Sequence, residues 1–264
     1  MPDDTSAVLG RRVRPATGPA LTVLFAGSAG TRPGLGRELY GTFPAFRAAY
    51  DDVRAALDPW LRLPLAAVVF APEGGVDATL IRRSEFAQPA LFAFHVALFR
   101  LWRSWGLRAG AVAGHGAGEL SAAHAAGVLG LNDAARLVAA RGRLLPVHPA
   151  VVAGDFAAAL DAADAFLRAA ADCAAAPPRI PLVCATTGRT MGPEPGRLAW
   201  TPEYLLRRTR QVTYDSDAVR TLERSGFPRP HPCGPDPTDT APGCELRTAL
   251  GATARIHTQG PAQH

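Results

Sequence analysis

The chain has 264 residues, a net charge of +5 and a pI near 9.5, with 48% hydrophobic and 19% charged residues. That length supports one large domain or two small ones with ample core, and no run of 18 apolar residues occurs, so a membrane span and a wholly disordered chain are both excluded. All 28 cationic side chains are Arg, scattered without a run of five, and Ala occurs 52 times; this is the residue usage of a GC-rich coding sequence, and it argues against a nucleic-acid partner.

Residues 1–20 read as a disordered leader. Arg11 and Arg12 precede the apolar stretch Leu21 to Ala26 as in a faint export signal, but the stretch is short and has Pro19 at its head. It reads instead as a buried first strand, and the expected location is the cytoplasm. The four Cys (Cys173, Cys184, Cys233, Cys244) form no C-x-x-C pair and have no His at ligand spacing, which fits free thiols and calls for neither a metal nor a cofactor.

Pro44 suits a first helical turn, and Phe46, Tyr50, Val53 and Leu57 then fall on one face. Gln88 to Trp105 carries Leu91, Phe94, Leu98 and Leu101 on one stripe with aromatic flanks, a helix buried on most sides and ended by Gly106. On this helix His95 is expected to be a satisfied core side chain. Ala109 to Ala113 is a strand leading through Gly114-His115-Gly116-Ala117-Gly118 into a helix over Glu119 to Val128. Asn132 or Asp133 is a candidate cap for the helix Ala134 to Leu145, which Pro146 and Pro149 end. In residues 154–172 Phe156, Leu160, Ala163 and Leu167 predict the buried stripe of another helix. Ile180 to Cys184 is a strand candidate, and Tyr204 to Arg210 and Asp217 to Arg224 look helical. Six prolines between Phe227 and Gly243 predict loose coil, because proline interrupts a hydrogen-bond ladder. Strands alternating with helices give an α/β fold with a mostly parallel sheet.

A G-x-S-x-G turn between strand and helix is a nucleophile elbow, whose glycines relieve crowding and whose helix N-terminus offers N–H groups to an oxyanion. In residues 114–118 the central position is Gly116, so the backbone fits while the hydroxyl is missing. A Gly-rich strand-to-helix turn is also ordinary packing. Ser121 lies about 140° further round the helix and should not reach the reaction point.

The flanking sequence narrows these alternatives. Gly114-His115-Gly116-Ala117-Gly118-Glu119, followed by an Ala-rich helix, resembles the G-H-S-x-G-E motif of the acyltransferase domains of modular polyketide synthases and of malonyl-CoA:acyl carrier protein transacylases. Leu24 to Gly30 with Pro33 to Tyr40 is similar to the family's F-P-G-Q-G-S-Q opening, Phe86 to Phe92 to its Y-A-Q-P-A-L-F block, and Asp133 to Gly142 to the segment whose Arg pairs with the substrate carboxylate. The resemblance implies an α/β-hydrolase-like large domain with a ferredoxin-like small domain, Arg141, Gln88 and His115 as substrate-binding residues, and Ala117 at the oxyanion hole with Ser28 where the family's Gln normally stands. A planar guanidinium suits that carboxylate. The family implies malonyl-CoA, an acyl carrier protein and a ketosynthase as partners.

The chain departs from the family on the nucleophile, Gly116, and after Leu145, where residues 146–176 replace the small domain and its A-F-H-S base. The expected organisation is a leader at 1–20, the first part of the large domain at 21–145, a truncated insertion at 146–176, the second part at 177–226 and a Pro-rich tail at 227–264. His148 in the insertion is the substitute base to consider, against the plainer reading of a surface-loop histidine. The readings are an acyltransferase-like protein that has lost self-acylation and keeps a structural or carrier-binding role, a residual malonyl transferase or thioesterase using a substitute group, and a decayed gene product.

Overall fold

The computed structural model describes residues 21–27, 31–72, 75–144, 156–192, 201–209, 215–227 and 230–234. The expected leader at 1–20, Ser28, His148 and the tail beyond 234 lie outside the described residues.

Four parallel strands form one sheet in the order β3-β2-β1-β4, where β1 is Leu21–Phe25, β2 Ala109–Gly114, β3 Leu182–Cys184 and β4 His231–Cys233. The register pairs Phe25 with Gly114, Gly114 with Cys184, and Phe25 with Cys233, so all four C-terminal ends finish level. That edge is where open parallel sheets of this class hold ligands.

Ten α-helices are described: α1 (Arg37–Thr42), α2 (Pro44–Leu57), α3 (Leu65–Val69), α4 (Val76–Leu80), α5 (Ser84–Ser104), α6 (Gly118–Ala126), α7 (Leu131–Leu144), α8 (Phe156–Ala171), α9 (Pro202–Thr209) and α10 (Asp215–Arg224). The α2 stripe is as its spacing requires, with Phe46, Tyr50, Val53 and Leu57 all fully buried. The larger core joins these residues to the apolar residues of α5, α6 and α7 and to Val23, Phe25 and Val112 of the sheet. Leu24, Ala111, Ala113 and Val183 point to the opposite face, which packs on Leu222 of α10. Helices therefore cover both faces, as a parallel sheet requires. Among the described residues no helix is long and apolar enough to cross a membrane.

Several boundaries and faces differ from the sequence expectation, most by one or two residues at an element end; four of them bear on packing. α5 begins at Ser84 rather than Gln88, because buried Phe86 and Ala87 extend its apolar face by a turn. α7 begins at Leu131, so Asn132 and Asp133 sit inside its first turn, where the Asp133 charge favours the helix dipole instead of capping it. In α8 the buried side is Phe166, Ala169 and Ala170, while Leu160 is 65% exposed. In an Ala-rich helix several stripes are nearly equivalent, and the Phe166 ring, with the largest area to remove from water, selects the face. The expected loose coil after Phe227 contains β4. Pro232 is tolerated there because β4 is an edge strand, on which the absent N–H belongs to the side away from the ladder; the Ala26 N–H donates to the Cys233 carbonyl at 3.2 Å.

Candidate active site

The turn after β2 is an elbow in geometry as well as in sequence. A Cβ on Gly114 would overlap the Gly118 carbonyl, and a Cβ on Gly118 would overlap the Phe25 carbonyl, so both flanking glycines are required by the close crossing of β1, β2 and α6. Gly118→Ala is expected to destabilise the fold by about 1–3 kcal/mol, the usual range for overpacking, measurable as a lower urea midpoint with an unchanged slope.

Gly116 stands at φ +54°, the left-handed region in which an elbow nucleophile is held. In contrast to its neighbours it has room. Among the described residues a Cβ built there finds only the Gly27 Cα, at 4.0 Å, and Gly116 alone is not fully buried in the run from Ala111 to Ala123. The N–H groups of Gly116 and Ala117 have no acceptor among the described residues, while Gly118 N–H donates to the His115 carbonyl and Glu119 N–H to that of Gly116. Free N–H groups at a helix start are the raw material of an oxyanion hole.

His115 is buried, and its Nε2 accepts the Gly27 N–H at 3.1 Å. The ring props the end of β1 against the elbow, and that nitrogen is committed. His95 lies below. Its Nδ1 is 3.0 Å from Ser121 Oγ, both side chains are fully buried, and Nε2 has no partner among the described residues, so there the expectation of a satisfied core histidine holds for one ring nitrogen only. Burial, with a smaller contribution from His115, pulls the His95 pKa down to about 3, which keeps it neutral and makes it a weak base. The Ser121 hydroxyl is turned into this couple.

Beside the elbow lies a buried charged cluster. Arg141, on α7, is 6% exposed, and its Nη1 donates to Gln88 Oε1 of α5 at 2.6 Å; Gln88 in turn donates to Ser84 Oγ at 3.0 Å. Among the described residues Arg141 has no carboxylate partner, and burial lowers its pKa to about 10 despite the opposing pull of Glu119. Glu119, in the first turn of α6, accepts Arg208 Nε at 3.1 Å and the Tyr204 hydroxyl at 2.7 Å, with Arg208 and Glu119 side chains 6% and 8% exposed. Burial alone would lower the Arg208 pKa, but the charge of Glu119 outweighs it and the net shift is upward. Burial raises the Tyr204 pKa, as does Glu119, so the phenol stays protonated.

Glu119 is thus taken up by Arg208 and Tyr204, and among the described residues the positive charge of Arg141 is left without a carboxylate. Buried charge of this kind calls for an anion. Sequence reasoning named Arg141 and Gln88 but gave no role to Glu119, Tyr204 or Arg208; the signal available was Glu119 itself, an acid in the first turn of a helix that buries nearly every side chain. Among the described residues no group of three or more His, Cys, Asp or Glu side chains is arranged to hold a metal ion.

Comparison with known proteins agrees with this architecture. A sequence profile of the family described as "Acyl transferase domain" matches residues 22–192. The polyketide synthase GfsA of Streptomyces halstedii is 56% identical over 127 residues, a match covering 48% of this chain and 2% of that synthase. The acyltransferase domain from the second module of the salinomycin polyketide synthase superposes with a TM-score of 0.67 at 32% identity, over 83% of this chain and 64% of that one. Malonyl-CoA:acyl carrier protein transacylase from Xanthomonas oryzae superposes with a TM-score of 0.66 at 24% identity, over 84% of this chain and 90% of that one, and shares the fold. The chain thus spans a small fraction of the curated synthase and about two thirds of the solved domain that resembles it.

Proposed function

The chain belongs to the acyl transferase domain family, and from that premise we propose that it binds a malonyl thioester without becoming acylated by it. Arg141 and Gln88 take the free carboxylate, the Ala117 N–H faces the thioester carbonyl, and the protein serves polyketide or fatty-acid assembly as a non-acylating partner of a carrier protein or ketosynthase. Residues 21–145 and 177–226 act as the large domain, and 146–176 stand in place of the small one.

The observation that carries this reading is the pairing of a buried Arg141, which has no carboxylate partner among the described residues, with an elbow whose central residue has no side chain. An acyl-enzyme needs an oxygen or sulfur on residue 116, and glycine supplies neither. Losing a nucleophile of this type costs on the order of 10⁶ in turnover, and loss of its base adds little because the two act as a unit. Arg141, Gln88 and the Ala117 N–H do not need the missing hydroxyl to hold the ligand, and Ser28 stands where the family has its oxyanion-hole Gln.

Intact-mass analysis after incubation with malonyl-CoA tests the reading. The natural chain is expected to gain no acyl mass. Gly116→Cys is expected to gain one malonyl group, because a thiol at the start of α6 is acidified by the helix N-terminus and attacks without a histidine. An acyl adduct on the natural chain would overturn the proposal.

A further inference from the structure

The side chains that hold Arg141 form a relay between two helices. Arg141 Nη1 on α7 donates to Gln88 Oε1 at 2.6 Å, and Gln88 Nε2 donates to Ser84 Oγ at 3.0 Å, one turn earlier on α5. Arg141 and Gln88 are both buried, so neither has bulk water as an alternative partner. A glutamine amide has one accepting end and one donating end of nearly the same shape. Turned the other way, its NH2 would face a guanidinium that carries only donors, and the contact would be repulsive. An acceptor on the far side distinguishes the two orientations, and among the described residues that acceptor is Ser84 Oγ.

The approach of the two helices is set at the same place. A Cβ on Gly142, the residue after Arg141, would lie 2.8 Å from the Ser84 carbonyl oxygen and 3.1 Å from the Glu85 Cα. Both are backbone atoms in the first turn of α5, so a side chain at 142 is admitted only by moving α7 away from α5. Glycine there brings the guanidinium within hydrogen-bond reach of the Gln88 oxygen.

We propose that Ser84 and Gly142 are positioning residues for carboxylate recognition at Arg141: Ser84 fixes which end of the Gln88 amide meets the guanidinium, and Gly142 fixes the distance between them. This rests on the malonyl-binding reading above and deepens it. With Nη1 tied to Gln88, the plane of the guanidinium is set before a carboxylate arrives, so pairing does not have to order the side chain. Neither residue touches the ligand. Both act through Gln88 and Arg141.

Calorimetric titration of the full-length chain with malonyl-CoA, and with acetyl-CoA as the ligand lacking the acyl carboxylate, tests the relay. Ser84→Ala is expected to weaken malonyl-CoA binding about 2- to 10-fold, the worth of one hydrogen bond, and to leave acetyl-CoA binding unchanged. Ser84→Thr keeps the hydroxyl and is expected to restore the natural affinity. In a Gln88→Ala background Ser84→Ala is expected to have no further effect on malonyl-CoA, because the hydroxyl then has no amide to orient. Gly142→Ala is expected to lower malonyl-CoA affinity at least as far as Ser84→Ala does, again without changing acetyl-CoA. An equal loss for both ligands, or a Ser84→Ala loss that persists without Gln88, shows a merely structural serine and overturns its positioning role; undiminished malonyl-CoA affinity in Gly142→Ala overturns the spacing role. If the natural chain prefers malonyl-CoA through Arg141 and Ser84→Ala keeps the full preference, the relay is overturned and the binding reading stands. If the natural chain shows no preference that depends on Arg141, the binding reading itself is overturned, and the relay with it.

Discussion

Replacing Arg141 with Gln is expected to weaken malonyl-CoA binding by about 30- to several-thousand-fold, the roughly 2–5 kcal/mol lost when one member of a buried, hydrogen-bonded charge pair is removed. Calorimetric titration of both proteins measures it, with acetyl-CoA as the control whose affinity should be unchanged. The size follows from burial. At 6% exposure the guanidinium has given up most of its water, among the described residues it hydrogen-bonds the neutral Gln88, and the nearby Glu119 is engaged by Arg208 and Tyr204. A ligand carboxylate therefore meets a cation whose desolvation has already been incurred in folding, and the pair forms with little competition from solvent.

The same circumstance predicts an opposite effect on stability. Burial lowers the Arg141 pKa to about 10, so the folded state binds this proton less tightly than the unfolded chain does. The penalty is present in full at neutral pH, and stability should rise as pH climbs from about 10 into the ordinary guanidinium range, where the folded state has shed the proton and the unfolded chain still carries it. Arg141→Met is accordingly expected to melt higher than the natural chain in the absence of ligand, while saturating malonyl-CoA raises only the natural chain. A variant melting lower, with no ligand effect on either protein, would show that Arg141 is a structural cation.

How much of this was legible beforehand depended on whether a residue's role is local. Phe46, Tyr50, Val53 and Leu57 announce a buried helix face because periodicity and burial are the same statement about one helix. Gly114 and Gly118 were readable as elbow flanks because the crossing of strand and helix leaves no room for a Cβ. By contrast, α8 offered several stripes of equal hydrophobicity, and the choice of Phe166 over Leu160 was made by packing against α7 and α9, which no pattern inside α8 encodes. β4 was hidden by its prolines, whose prohibition applies to a central strand and lapses at an edge. The pairing of Glu119 with Arg208 spans 89 residues, and no local pattern connects the first turn of α6 to the last turn of α9. Ser28 and His148 lie outside the described residues, so Ser28 stays with the family resemblance and His148 with its position in the shortened insertion.

That long-range pairing supports the second large effect. Glu119→Gln is nearly isosteric, yet it is expected to cost about 3–5 kcal/mol, the usual loss when a buried ion pair is broken from one side, and to lower the melting temperature by roughly 6–20 °C at 2–4 °C per kcal/mol for a chain of this size. The carboxylate receives Arg208 Nε at 3.1 and 3.3 Å and the Tyr204 hydroxyl at 2.7 Å; a Gln oxygen can still accept one of these, but it carries no charge. Arg208 then remains buried in the field of Arg141 without the compensating charge of Glu119. Because the pair is excluded from solvent, added salt should rescue little of the loss, in contrast to an exposed pair such as Arg100 with Asp52. The double substitution Glu119→Gln with Arg208→Met removes both charges and is expected to recover most of the melting temperature. It should not recover the position of α9 against α6, which these bonds tie to the elbow, so malonyl-CoA binding should remain weaker than in the natural chain. If the double variant melts no higher than Glu119→Gln alone, the cost lies in lost hydrogen-bond geometry and not in uncompensated charge, and the electrostatic account of the cluster is wrong.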